Sequence, residues 1–198
     1  MQAKTEPALR DGATAYEKGI EKEMQLQQTL KKCYSFEGKG LHTGRVAKMV
    51  IKPAAVDTGI RFRRTDLGES AYVDALAENV SNTARSTTIS CGEVSVSTIE
   101  HVLSALTGMG VDNAEIDIDN VEVPILDGSA KPYIDAIWAD GFEQQDAPRK
   151  YIELKETVEI RNDEKGSVVR IEPADEFSYG IKIDFNSRVL GLQNAVWD

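Results

Sequence analysis

The sequence contains one pattern twice, and this internal repeat constrains the fold more than any other feature. Residues 49–64 are MVIKPAAVDTGIRFRR and residues 168–185 are VVRIEPADEFSYGIKIDF. Each copy has an apolar and polar alternation that indicates a strand, then Pro-Ala, a short acidic turn, a glycine and a second alternating strand. The repeat therefore predicts two domains that begin with the same fold.

The segments that follow the two copies differ. After the first copy, the sequence predicts a hairpin that turns at Cys91-Gly92 and two helices, at residues 98–110 and 129–141. After the second copy, no helical pattern occurs before Asp198. Because strands joined to a helix pair are typical of an α+β fold, we predict two α+β domains, of which the second is incomplete in this chain.

The domain boundaries follow from the repeat. We place the first domain at residues 26–146 and the start of the second at residues 150–198, with the polar segment around Pro148 as a linker. Residues 1–25 fit neither domain and are interpreted as an extension or a tag. The strands of the second domain have no helices to cover their apolar face, so we predict poor order or self-association there.

Composition and charge argue against several functions. A net charge of −10 over 198 residues disfavours a nucleic acid partner, whose phosphates such a surface would repel. The two cysteines, Cys33 and Cys91, form neither a disulfide framework nor a C-x-x-C motif, which favours a reducing compartment. No apolar run approaches the roughly 20 residues of a transmembrane helix, and the polar beginning lacks a signal-peptide core. We expect a cytoplasmic protein.

The strongest candidate for chemistry is the pair Glu100-His101, at the start of the first predicted helix. A metal hydrolase needs an imidazole ligand and a carboxylate that takes a proton from water, and such a pair contains both groups. Two structural alternatives stay open. Glu100 also fits an S-x-x-E capping box with Ser97, and His101 fits a hydrogen-bonded histidine at the edge of the core, beside Ile99 and Val102.

A second candidate is the glycine turn, residues 38–44 (GKGLHTG), which contains His42. Its glycines allow the backbone to approach a ligand closely, although a tight hairpin explains them equally well. The turn lacks the pattern of a P-loop or of a dinucleotide-binding loop. A third segment, residues 121–132, contains Asp127, for which turn and capping chemistry are a sufficient explanation.

Four segments together resemble one known family, in order and in spacing. They are GKGLHTG (38–44), RFRRTDL (61–67), STIEHVLSALTGMGVDN (97–113) and EVPILDGSA (122–130). This set resembles the amino-terminal domain of the UDP-3-O-acyl-N-acetylglucosamine deacetylases, and the resemblance extends over residues 26–198. It departs at Ser187-Arg188, where the family usually has His-Pro.

The resemblance implies a function and a site. It implies two similar α+β domains with the active site between them, and zinc-dependent hydrolysis of the N-acetyl group of UDP-3-O-acyl-N-acetylglucosamine in lipid A biosynthesis. Glu100 matches the family's general base, His101 its first zinc ligand and His42 its substrate-binding cleft histidine, and Ser86 matches a small polar residue beside the metal.

The resemblance also implies what this chain lacks. The family's other two zinc ligands come from a His-Lys-x-x-Asp motif, which does not occur here. Because catalytic Zn²⁺ generally has three protein ligands, we expect the isolated chain to hold Zn²⁺ weakly and to be nearly inactive. Two other hypotheses remain: a non-catalytic paralogue that retains the fold, and an interaction module in which residues 1–25 dock a partner.

Overall fold

The computed structural model describes residues 25–197, which divide between Lys150 and Tyr151 into two compact units. In the first unit the helices are α1 (Glu100–Gly108), α2 (Lys131–Trp138) and a short 3-10 helix (Ala77–Asn79), and the strands are β1 (Leu26–Leu30), β2 (Tyr34–Lys39), β3 (Val46–Pro53), β4 (Ile60–Arg64), β5 (Tyr72–Asp74), β6 (Val80–Asn82), β7 (Thr88–Cys91), β8 (Val94–Ser97), β9 (Ala114–Ile118) and β10 (Phe142–Pro148). Neither α-helix is long and apolar enough to cross a membrane.

A five-stranded sheet forms the centre of the first unit, in the order β2-β3-β9-β4-β5. On β9 the apolar residues face inward, and Ile116 is paired with Ile51 on one side and Phe62 on the other, all three fully buried. The acidic residues of β9, Glu115 and Asp117, face outward. Period-two alternation explains this division, because successive side chains of a strand point to opposite faces.

A three-stranded sheet, β6-β7-β8, leads directly into α1. The predicted hairpin is confirmed: β7 and β8 are antiparallel, and Gly92 adopts the positive φ of 58° in the turn between them. On α1 the buried residues are Val102, Ala105 and Leu106, at the spacing that places them on one helix face. This face joins the same core as the five-stranded sheet, so the predicted α+β fold is confirmed.

The predicted linker around Pro148 is wrong as a local structure. Residues 142–148 form β10, which pairs antiparallel with β1. Its polar side chains have specific partners: Gln145 donates to the carbonyl of Ala54 and accepts a hydrogen bond from the buried Asn113. A polar strand held by distant partners has no local hydrophobic signal, which is why the sequence pattern indicated a linker.

The second unit contains two antiparallel hairpins. Their strands are β11 (Val158–Asn162), β12 (Ser167–Ile171), β13 (Tyr179–Asp184) and β14 (Leu192–Trp197). The internal repeat also holds for strand pairing. The pair β11-β12 corresponds to β2-β3, and the pair β13-β14 corresponds to β4-β5. In the first unit β9 joins the two pairs, whereas no described strand joins them in the second.

Candidate functional site

The start of α1 holds Glu100 in a fixed position. Glu100 is half-buried, and its Oε2 atom accepts a hydrogen bond of 3.0 Å from the backbone N–H of Thr87. Within residues 25–197, its other oxygen, Oε1, accepts no hydrogen bond. One oxygen is therefore held by the backbone, and the other is available for a proton.

The capping-box alternative for Glu100 is wrong. The helix begins after Ile99 and has no side-chain cap, and the hydroxyl of Ser97 donates to the carbonyl of Val121 instead. Thr98 has a φ of 60°, in the left-handed region, so Ser97 cannot lead directly into a helix. This break between β8 and α1 directs Glu100 toward Thr87 and away from Ser97.

His101 and Ser86 lie on the two segments that meet at Glu100. His101 is the next residue of α1 and is half-buried, as is Ser86. Ser86 directly precedes Thr87, whose amide binds Glu100 and whose carbonyl accepts a long 3.5 Å hydrogen bond from the amide of Ile99. The structure thus brings the residue-86 loop to the helix start that carries Glu100 and His101.

The glycine turn lies between β2 and β3 and exposes the side chain of His42. It is closed by hydrogen bonds from the amide of Gly40 to the carbonyl of Arg45, 2.8 Å, and from the amide of Gly44 to the carbonyl of Gly40, 3.1 Å. Gly44 has a φ of 65°, which glycine adopts without strain. These bonds give His42 a defined backbone position.

Glu122 connects the glycine turn to the start of α1, and our sequence analysis did not identify it. Its carboxylate is buried, and it accepts hydrogen bonds from the amides of His42 and Thr43 and from the hydroxyl of Thr98. The available signal was an acidic residue between two valines, Val121 and Val123, just before a proline. That signal alone does not distinguish a buried carboxylate from an exposed one.

The second helix begins at Lys131, two residues after the start predicted from the sequence. Its N-cap is Ala130, while the Oδ1 atom of Asp127 accepts hydrogen bonds from both the amide and the hydroxyl of Ser129. The hydroxyl of Ser129 in turn accepts a hydrogen bond from the amide of Lys131. Asp127 therefore has the turn role that its sequence context indicated.

The described residues do not by themselves fit a complete zinc site. No group of three or more His, Cys, Asp or Glu side chains within residues 25–197 is arranged to hold a metal ion. The two cysteines are free and exposed, and the whole sequence contains two histidines, His42 and His101. His101 can contribute one nitrogen ligand, which is fewer than a catalytic zinc generally requires.

Comparison with known proteins identifies the family. The sequence profile of the family described as UDP-3-O-acyl N-acetylglycosamine deacetylase (LpxC) matches residues 27–198. The chain belongs to this deacetylase family. The resemblance stated from the sequence is thus confirmed, and the mixed architecture with few helices agrees with it.

Individual relatives of this LpxC family member show the same relationship. A UDP-3-O-acyl-N-acetylglucosamine deacetylase from Thioalkalivibrio sulfidiphilus is 45% identical over 88% of this chain and 58% of the relative. The deacetylase from Methylococcus capsulatus is 43% identical over 84% of this chain and 54% of the relative. A bifunctional LpxC/FabZ enzyme from Porphyromonas gingivalis is 45% identical over 87% of this chain and 37% of the relative. The chain spans about half the length of the two deacetylases.

Proposed function

We propose that this chain carries the first part of a deacetylase site that removes the N-acetyl group of UDP-3-O-acyl-N-acetylglucosamine in lipid A biosynthesis. The relatives' names support this activity and substrate. The observation that carries the proposal is the position of Glu100, half-buried at the start of α1 with one carboxylate oxygen fixed by Thr87.

In the proposed reaction, Glu100 acts as the general base. A water oxygen bonds to the amide carbon while the Oε1 atom of Glu100 takes one of its protons. The carbon–nitrogen bond then breaks, the proton held by Glu100 passes to the leaving nitrogen, which becomes a free amine, and acetate is the second product. Proton transfer by a positioned side chain contributes about 10²–10⁴-fold to a rate, which is the effect we assign to Glu100.

The other three candidate residues have separate proposed roles. Zn²⁺ is the proposed cofactor, with His101 as a ligand, and it would supply a Lewis acid at the amide oxygen. His42 and Ser86 contact the substrate. Because two histidines cannot complete such a site alone, we expect little hydrolysis by the isolated chain. Exposed, unpaired Cys33 and Cys91 suit a reducing cytoplasm, where we place the protein.

A chimera tests the proposal despite the low activity expected of the isolated chain. Residues 27–198 would replace the matched segment of the Thioalkalivibrio sulfidiphilus deacetylase, and acetate release would be measured. We expect activity in the chimera and a loss of about 100-fold or more after Glu100→Gln. The unmodified relative is the control for the assay.

Two results would contradict the proposed roles. An active chimera that keeps its rate after Glu100→Gln would exclude Glu100 as the base. A chimera that folds with the relative's melting temperature but releases no acetate would favour the non-catalytic paralogue.

A further inference from the structure

Glu122 is a charged residue in the interior of the first unit. Only 1% of its surface is exposed. Burial by itself would raise the pKa of its carboxyl group, but hydrogen bonds from His42, Thr43 and Thr98 hold that pKa below its usual range. Burial of a carboxylate costs free energy unless the carboxylate is hydrogen-bonded. The groups that donate to Glu122 therefore identify the segments that it holds in place.

The partners of Glu122 belong to two separate segments of the candidate site. Oε1 accepts hydrogen bonds from the amide of His42, 2.9 Å, and from the hydroxyl of Thr98, 3.0 Å. Oε2 accepts a hydrogen bond from the amide of Thr43, 2.7 Å. One carboxylate oxygen is therefore shared by the glycine turn and by the break that precedes α1.

The backbone of the break before α1 and the backbone near the glycine turn both adopt conformations that place hydrogen-bond donors at this carboxylate. Thr98 holds its hydroxyl toward Glu122 from a left-handed conformation, φ 60°, which is unfavourable for a β-branched residue. The amide of Ser97 donates to the carbonyl of Val121, and the carbonyl of Ser97 accepts a hydrogen bond from the amide of Val123, which places Glu122 beside Thr98. The amide of Ile125 donates to the carbonyl of Lys39, at the beginning of the turn.

We propose that Glu122 is a positioning residue that fixes the glycine turn against the start of α1, so that exposed His42 faces the same ligand as Glu100 and His101. This inference rests on the proposed function for the identity of the ligand. The hydrogen-bonded connection itself does not depend on that function. Thr98 is the second member of the connection, since it shares Oε1 with His42.

The connection is tested first without any ligand, by nuclear magnetic resonance of the 198-residue chain. We expect the amide signals of His42 and Thr43 to move together in one acid transition, below the usual pH range of a glutamate. In Glu122→Gln this transition should disappear, and both amides should exchange with solvent about tenfold faster or more. Asp112→Asn is the matched control, because Asp112 also accepts a backbone amide, that of Gln28, 2.8 Å, away from the turn.

A second pair of variants covers the case in which Glu122→Gln does not fold. Thr98→Val removes one hydrogen bond to the carboxylate, and Thr98→Ser keeps it. We expect faster exchange at His42 in the valine variant and normal exchange in the serine variant. If the amides of His42 and Thr43 exchange at equal rates in the wild type, Glu122→Gln and Thr98→Val, the proposal that Glu122 holds the glycine turn would be overturned.

The positioning role is tested by titration with UDP-N-acetylglucosamine, observed at the ring signals of His42. We expect about tenfold weaker binding after Glu122→Gln or Thr98→Val, and restoration by Thr98→Ser. If amide exchange becomes faster in these variants but the affinity for UDP-N-acetylglucosamine is unchanged, Glu122 has only a structural role and the proposal is overturned. If the wild type does not bind this sugar nucleotide, the proposed substrate contact fails, whereas the acid transition still decides whether Glu122 holds the turn.

Discussion

At Gly40 the glycine turn has no room for a side chain. A Cβ atom there would lie 2.3 Å from Oε2 of Glu122 and 2.7 Å from Oγ1 of Thr43. Both distances are too short for real contacts, so the buried carboxylate or the turn would have to move. The requirement for glycine at this position is therefore steric, and it comes from a residue 82 positions away in the sequence.

Substitution of Gly40 should therefore be costly. We expect Gly40→Ala to lower the free energy of unfolding by about 1–3 kcal/mol, as overpacking of an interior site does. Gly108→Ala is the control: among residues 25–197, no atom beyond the adjacent residues and the helix's own backbone lies within 4 Å of the added Cβ. Alanine also suits a helix, so stability should stay equal or rise. Urea denaturation would measure both, and a Gly40→Ala variant as stable as the control would contradict the steric explanation.

Among the elements, β9 contributes to stability through both of its faces. Ile116 is fully buried between Ile51 and Phe62. On the other face, Arg61 binds Glu115 at 2.7 Å and Arg63 binds Asp117 at 2.6 Å. The strand thus joins the antiparallel and parallel parts of the sheet by packing on one face and by ion pairs on the other.

The packed face gives a prediction of stability. Ile116→Ala should lower the free energy of unfolding by about 2–5 kcal/mol, the range for truncation of a buried isoleucine. Val46→Ala, at a half-exposed position on β3, should change it by less than about 0.5 kcal/mol. Equal losses in the two variants, measured by chemical denaturation, would contradict the assignment of Ile116 to the core.

The charged face gives a prediction of pH dependence. Burial alone would raise the pKa values of Glu115 and Asp117, but hydrogen bonds from Lys52, Arg61 and Arg63 lower them overall. The unfolded chain therefore binds more protons than the folded protein as these groups titrate, and their contribution to stability is lost with falling pH.

We expect the free energy of unfolding to decrease from about pH 5 towards pH 3, and to decrease less steeply in the double variant Glu115→Gln/Asp117→Asn. Thermal unfolding across this range measures the slope. Identical slopes in the two proteins would mean that the ion pairs do not contribute to acid sensitivity.

The sequence predicts those elements whose structure depends on their own residues. The spacing of Val102 and Leu106 predicted α1, and the alternation around Phe62 predicted β4. The sequence does not predict strand β10 or the buried position of Glu122, because both depend on partners far away in the chain. The break at Thr98 was also missed, since a β-branched residue does not indicate a left-handed conformation.

At the scale of the whole molecule, the two units differ in how far their apolar side chains are buried. The first unit has a continuous buried core. In the second, Ile160 and Val169 lie open on the β11-β12 hairpin, 67% and 62% exposed, and Ile181 lies open on the β13-β14 hairpin, 48% exposed. Two-stranded hairpins without a covering layer are marginally stable in water, so this unit should exchange and associate more readily.

We therefore propose that residues 151–197 mediate self-association of this chain. Analytical ultracentrifugation should show concentration-dependent association, which Val169→Lys/Ile183→Lys reduces and Val46→Lys, in the first unit, does not. Hydrogen exchange should be faster in this unit than in the core of the first. A monomeric sample with equal protection in both units would contradict this prediction.

The most direct test of the whole account is the zinc content of two purified proteins, the 198-residue chain and the chimera, after dialysis against a weak chelator. We expect almost no zinc in the isolated chain, about one Zn²⁺ per molecule in the chimera, and loss of that zinc after His101→Ala. One zinc per isolated chain, or a chimera that keeps its zinc without His101, would contradict the proposed site.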